Sequence, residues 1–290
     1  MTTIEQALSI SLKNILLATD LSPVSETALK YARAISRERK AALHAIHVVS
    51  PSSYQLLQPE ALAVSFRELE NSDERATDIL QSLFNGLPSY VPLQQGEIWS
   101  VIGDVVRRNK IDVLVLGTHG RKGISKLFQG SVAEQIFCNV SCPVLTVGPD
   151  VKVNGNGFDI GKILLASHFE PQSAAPAYAS SLAREFHAEL AILHVASDTG
   201  MGKKRQLVEQ LRSLFTEEVL RELEPEFIAE YGAPSTKILE IADRIGASLI
   251  VLGARHRKAG NVNTHVPWAT AARIISDANC PVLTVRQQEG

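Results

Sequence analysis

Ile111-Asp112-Val113-Leu114-Val115-Leu116 leads directly into Gly117-Thr118-His119-Gly120 and then, after nine residues, into Gly130-Ser131. An apolar run of this length that ends in glycine reads as a strand buried on both faces of a parallel sheet. Val132-Ala133-Glu134-Gln135-Ile136-Phe137 follows with helical spacing. Strand, glycine loop and helix start together can cradle phosphate. Glycine admits φ > 0 and a close backbone approach, and the amides of a helix N-terminus point at an anion. A simpler role competes: Ser131 and Glu134 form S-x-x-E, a capping box that needs no ligand but leaves Gly120 and Gly130 unexplained.

Reading outward, the chain repeats itself at about half its length, which signals a duplicated domain rather than a solenoid. Asn14-Ile15-Leu16-Leu17-Ala18-Thr19-Asp20 recurs as Lys162-Ile163-Leu164-Leu165-Ala166-Ser167-His168. Ala42 to Val48 recurs as Glu189 to Val195, with His47 matching His194, and Val113 to Gly117 recurs as Leu249 to Gly253. Cys142-Pro143-Val144-Leu145-Thr146-Val147 recurs as Cys280-Pro281-Val282-Leu283-Thr284-Val285. The turn-rich Pro149 to Gly157 reads as a linker, so the expected division is residues 1–148, a linker at 149–159, and residues 160–290.

In the first copy, strands are expected at 14–19, 42–48, 91–95, 112–116 and 143–147, and helices near 23–39, 60–85, 97–109 and 131–139. Ser22 is a plausible N-cap with Pro23 at the first helical position. Alternating β and α elements imply an α/β fold in which helices cover both faces of a parallel sheet. Ligands on such sheets bind beyond the carboxyl ends of the strands, where the strand order switches. Asp20, Val48 and Gly117 to Gly120 all fall at such ends. A carboxylate there can accept ribose hydroxyls, backbone near Val48 can flank a base, and the glycine loop with Ser131 can hold phosphates. Asp20 has a purely structural alternative, an Asx turn into Ser22-Pro23.

Composition narrows the classes. The 290 residues are 45% apolar and 21% charged, as in a globular protein. Net charge is −2, so no basic field points to nucleic acid. No apolar run approaches the roughly 20 residues of a membrane span, and Met1 to Lys13 lacks a cationic start and apolar block, so a cytoplasmic address is expected. Three cysteines, Cys138, Cys142 and Cys280, form no CxxC pair or disulfide framework. His44 and His47 point to opposite faces of one strand and cannot chelate a metal as a pair. Nothing fixes the distances among His168, His256 and His265. Gly161-Lys162 is no P-loop, since it lacks the following Ser or Thr and precedes a strand. Arg121, Lys122 and Lys126 either neutralise phosphate or are ordinary loop residues.

With these residues in place, the chain resembles the tandem members of the universal stress protein family. The family's G-x2-G-x9-G-[ST] signature is matched by Gly117, Gly120, Gly130 and Ser131, and its opening strand with a terminal aspartate by Ala18-Thr19-Asp20. The resemblance spans about residues 12–148 and 160–286. It implies two tandem Rossmann-like domains, each an open five-stranded parallel sheet flanked by helices, and a bound adenine nucleotide: ATP, AMP or ADP, with or without Mg2+. Carried over by position, Asp20 and Gly117 contact ribose and Val48 the adenine. Gly120, Gly130, Ser131 and Val132 hold the phosphates, and Thr118 and His119 line the loop. The resemblance also implies pairing through the last strand, within one chain between the two copies and, further, between two chains as a homodimer.

The second copy departs from the pattern at the ligand positions. His168 stands for Asp20, His256 for Gly120, Trp268 for Gly130 and Ala269 for Ser131, in a loop two residues longer that contains Pro267. Trp268 places a large ring where phosphate needs bare backbone. The strands persist while the ligand groups are gone, so nucleotide is expected in the first copy only. Hydrolysis would need a group to position water and carboxylates to hold a metal, and neither is visible near the loop. The expectation is a nucleotide-dependent regulatory or assembly module acting under stress. A slow ATPase or autophosphorylating enzyme, a relative using the same crevice for another substrate, and a ligand-free dimerisation scaffold are the alternatives.

Overall fold

The computed structural model describes residues 12–49, 94–118, 135–137, 140–151, 160–169, 173–196, 204–254 and 268–286. The expected helix at 60–85, residues 91–93 of the expected strand at 91–95, and the whole stretch from His119 to Glu134, with the start of the expected helix at 131–139, lie outside them.

β1 (Asn14–Ala18) is apolar after Asn14, and Ile15, Leu16 and Leu17 are at most 1% exposed, as a strand covered on both faces requires. α1 (Pro23–Arg39) starts where the sequence signals place it: the Ser22 side chain accepts a bond from the Ser25 amide, and Pro23 sits in the first turn. The helix ends at Lys40, whose left-handed φ of 52° lets its amide reach Ser36 O. β2 (Ala42–Ile46) and β3 (Val48–Val49) follow, then β4 (Gln94–Gln95), α2 (Ile98–Arg108) and β5 (Val113–Gly117). α2 turns Ile102, Gly103, Val105 and Val106 inward, the three- and four-residue spacing of an amphipathic helix. β1 lies between β2 and β5, parallel to both, while β3 pairs in parallel with β4.

Strand 42–48 is therefore interrupted at His47. Up to Ile46 the ladder partner is β1, and from Val48 it is β4. In the second copy the equivalent strand runs unbroken, because there the two partners overlap along it.

That copy contains β7 (Lys162–Ala166), α3 (Ala175–Phe186), β8 (Glu189–Ala196), α4 (Lys204–Arg212), α5 (Glu217–Leu223) and β9 (Glu226–Tyr231). It continues with α6 (Pro234–Ile245), β10 (Leu249–Ala254), α7 (Trp268–Asp277) and β11 (Val282–Arg286). Its five strands form the parallel order β11-β10-β7-β8-β9. Ile163, Leu164 and Leu165 are 0% exposed, repeating the burial of β1. Burying one such side chain contributes about 1.5–3 kcal/mol, so each central strand is a strong anchor for its copy.

The chain clusters into two compact units. One carries β1 to β5 with α1 and α2; the other carries β6 (Val144–Val147) and everything after it. β6 belongs to the first copy in sequence, yet it pairs antiparallel with β11, Thr146 opposite Val282 and Thr284 opposite Val144. The closing strands of the two copies thus meet edge to edge within one chain. Thr146 Oγ1 donates to Val282 O at 3.0 Å across this seam.

The two copies also repeat small devices at the strand starts. Asp112 Oδ2 accepts from the amides of Lys13 and Asn14 at 2.7 and 2.8 Å. Ser248, at the matching position, accepts from the Lys162 amide at 3.1 Å. No helix among the described residues is long and apolar enough to cross a membrane.

Candidate functional site

In the first copy, the ladder registers place Ile46, Ala18 and Leu116 side by side on β2, β1 and β5. Parallel neighbours are about 4.8 Å apart, so the three chain ends leave the sheet in one row about 10 Å wide. The chain runs from β1 to β2 on one side and returns to β5 on the other, which makes the β1–β5 boundary the switch point. Asp20 leaves from the middle of that row, with Val48 to one side and Gly117 to the other. Three of the expected site residues are therefore brought to one level by the sheet itself. His119, Gly120, Gly130, Ser131 and Val132 lie outside the described residues.

The loop after β1 is tightly organised. Asp20 Oδ1 accepts the Ser22 amide at 3.1 Å, an Asx turn, and also accepts the Ser25 hydroxyl. The Asp20 amide reaches back to Ser25 Oγ at 3.4 Å, and the Leu21 amide to Thr19 Oγ1 at 3.0 Å. Leu21 is left-handed at φ 62°. For a side chain with a Cβ that conformation costs about 1–2 kcal/mol, which the surrounding bonds offset. The structural reading of Asp20 is thus present: its Oδ1 is the acceptor of the turn.

His47 closes the loop from the side. Its Nδ1 lies 2.7 Å from Thr19 O, and the Thr19 amide donates to Ile46 O at 3.0 Å. The sequence marked His47 only as a sheet residue. Its recurrence as His194 was the available signal, because His194 Nδ1 holds Ser167 O at 2.8 Å in the same way. Thr118, 4% exposed, is anchored too: its amide donates to Val147 O at 2.9 Å, and its hydroxyl lies 3.5 Å from the same oxygen. That bond ties the first residue of the glycine loop to β6.

The corresponding strand ends of the second copy carry different side chains. Gly253 directly follows the last residue of β10 paired with β7, and a Cβ built on it would meet Ser173 Oγ at 2.9 Å and Ala175 Cβ at 3.6 Å. The start of α3 therefore sits against the switch point. Phe169, left-handed at φ 57° like Leu21, packs its ring 4.0 Å from that of His194, and His168 meets His194 edge-on at 6.2 Å. His194 is 9% exposed, and burial holds its imidazole below the usual histidine range, partly opposed by the bond to Ser167 O. An aromatic cluster stands where the first copy has Asp20, Leu21 and His47.

Other candidate groups are quiet. Burial pushes the Cys142 and Cys280 thiols up to about 12, so both are core residues rather than nucleophiles. No group of three or more metal-ligating side chains occurs among the described residues.

Comparison with known proteins agrees with this architecture. The model of the universal stress protein family matches twice, over residues 11–148 and 160–286. A universal stress protein of Methanocaldococcus jannaschii is 33% identical over 138 residues, covering 47% of this chain and 81% of the relative. Universal stress protein A homolog 2 of Coxiella burnetii is 31% identical over 139 residues, 47% of this chain and 94% of the relative. A crystal structure of a universal stress protein from Archaeoglobus fulgidus shares the fold at a TM-score of 0.68 and 23% identity, over 95% of this chain and 98% of that one. The duplicated sheet, the strand-end aspartate and the two family matches converge, and the chain belongs to the universal stress protein family.

Proposed function

We propose that the first copy, residues 1–148, binds an adenine nucleotide, ATP or its AMP and ADP relatives, and that the second copy, residues 160–290, keeps the fold without the site. One contrast supports this reading above all. In the first copy the switch point presents a carboxylate and leads into the G-x2-G-x9-G-S loop; in the second, Ser173 lies against Gly253 and Phe169 against His194. The resemblance assigns Asp20 and Gly117 to ribose, Val48 to the base, and Thr118, His119, Gly120, Gly130, Ser131 and Val132 to the loop that takes the phosphates.

Occupancy then acts through assembly. Thr118, at the start of the loop, is bonded to β6, and β6 is paired with β11, so a ligand held by the loop bears on the seam between the closing strands. Two chains pairing as a homodimer are the assembly we assign to this control, in a reducing cytoplasm that suits buried unpaired thiols.

The test is direct. The purified protein is denatured and its supernatant analysed by mass spectrometry for nucleotide near one per chain. ATP at about 100 times its dissociation constant stabilises a binding protein by about 2.7 kcal/mol, a midpoint rise of several degrees at this size. Gly130→Trp, which copies Trp268, is expected to abolish the rise without unfolding the unliganded protein. A rise that survives Gly130→Trp moves the ligand to another pocket. Sedimentation with and without ATP tests the assembly step.

A further inference from the structure

We infer that Ser25 is the positioning residue for Asp20 and sets the preference of the site for nucleotides bearing ribose hydroxyls over those lacking them. This rests on the nucleotide reading above and adds to it a residue and a selectivity.

Ser25 lies in the first turn of α1 and is 4% exposed. Its hydroxyl makes a closed circuit with the strand end: it donates to Asp20 Oδ1, while Oγ accepts from the Asp20 amide at 3.4 Å. The Ser22 amide donates to the same carboxylate oxygen at 3.1 Å, and the Ser22 hydroxyl lies 3.4 Å from Ser25 Oγ. Two donors on one oxygen fix the orientation of the carboxylate group. An unsupported aspartate at a strand end would sample several rotamers, and a hydroxyl ligand would have to select one.

The second copy supplies the control. Ser173 holds the position of Ser25, five residues after His168 as Ser25 is five after Asp20. With a histidine in place of the carboxylate, the serine makes a different bond: its Oγ accepts the Ala175 amide at 3.3 Å and lies against Gly253. α1 begins two residues before Ser25, whereas α3 begins two residues after Ser173. The same residue at the same offset is thus inside the helix and bonded to the carboxylate in one copy, and outside it in the other. The extra turn of α1 accompanies the Asp20–Ser25 bond.

A charged acceptor that meets a ribose hydroxyl gives roughly ten-fold or greater preference over an analogue lacking that donor. The experiment measures dissociation constants of ATP and 2′,3′-dideoxy-ATP on the full chain by calorimetry. Wild type is expected to prefer ATP by about ten-fold or more, in line with one hydrogen bond to a carboxylate. Asp20→Asn should bring the ratio towards one. Ser25→Ala should lower it several-fold, and Ser25→Thr, which keeps the hydroxyl, should restore it. Asp20→Asn combined with Ser25→Ala should lower the ratio no further than Asp20→Asn alone, since both act through one carboxylate.

A merely structural Ser25 would weaken both ligands in proportion and leave the ratio untouched, and that result overturns the proposal. If Ser25→Ala does not fold, Ser25→Cys keeps the volume with a weaker donor and is read the same way. Failure of wild type to bind either nucleotide refutes the nucleotide reading itself, and the role of Ser25 with it. ATP binding with an unchanged ratio refutes only the role of Ser25.

Discussion

Replacing Gly253 with alanine tests whether the second copy has closed its own cleft. No left-handed φ is recorded for Gly253, so alanine fits its backbone and only space opposes the change. Removing a glycine from the unfolded chain stabilises by about 0.4–1 kcal/mol. Against this, the new Cβ lies 2.9 Å from Ser173 Oγ, closer than carbon and oxygen tolerate, and overpacking of this kind costs about 1–3 kcal/mol. A net loss of about 1 kcal/mol follows from those two ranges.

In a Ser173→Ala background the obstacle is gone. The nearest remaining atoms are Ala175 Cβ at 3.6 Å and the Cβ of residue 173 at 4.0 Å, both ordinary contacts. Gly253→Ala should then stabilise, by the same 0.4–1 kcal/mol, roughly, that the unfolded chain loses in freedom. The sign of one substitution reverses with the identity of residue 173. Guanidinium unfolding of wild type, both single variants and the double variant, followed by circular dichroism, reads the coupling, and the loss of the Ala175 amide bond cancels in the cycle. If Gly253→Ala has the same effect in both backgrounds, Ser173 does not occupy the switch point and the second cleft is open.

Three further outcomes are expected. Thr146→Val should cost about 1 kcal/mol because its hydroxyl bonds Val282 O, whereas Thr284→Val should be neutral or stabilising because Thr284 Oγ1 is buried with no hydrogen-bond partner; chemical denaturation of the two variants compares them, and equal losses would refute the distinction. Burial keeps His194 neutral, so its folded value lies below the ordinary 6.5 and unfolding takes up a proton on acidification; stability should be level above about pH 6.5 and fall below it, and His194→Asn should reduce that slope in melts between pH 5 and 8, unless the ring is not what titrates. Cys142 and Cys280 should resist a thiol reagent such as Ellman's in the folded chain and react on unfolding, since burial pushes both thiols up to about 12; rapid labelling of either in the native protein would show the core to be open there.

Much of this fold is legible in one dimension because its signals are local. Ser22-Pro23 marks the start of α1 and the helix runs Pro23–Arg39 as read, while Ile15-Leu16-Leu17 and Val113-Leu114-Val115 declare strands by their unbroken apolar character. The level meeting of Asp20, Val48 and Gly117 also follows from strand order alone. What escapes a linear reading depends on partners distant in the chain. The interruption at His47 reflects a change of ladder neighbour from β1 to β4, which no property of His47 announces. His47 and His194 recur at the same offset, but that each grips the carbonyl after the first strand of its copy is a tertiary fact. Ser25 and Ser173 are identical letters whose hydroxyls take different partners, and only their surroundings decide which.

The antiparallel contact of β6 with β11 has a consequence for how this molecule can change over generations. When separate identical subunits join about a two-fold axis, every contact is made twice, i to j and j to i, so neither side can change alone. A tether lifts that requirement, and it makes the encounter independent of dilution. The seam already shows such licence: Thr146 donates to Val282 O, while Thr284, opposite Val144, leaves its hydroxyl unmatched. Each edge is free to specialise for a single lifelong neighbour, so one half can lose a pocket while the other retains it and neither is exchanged for a stranger's.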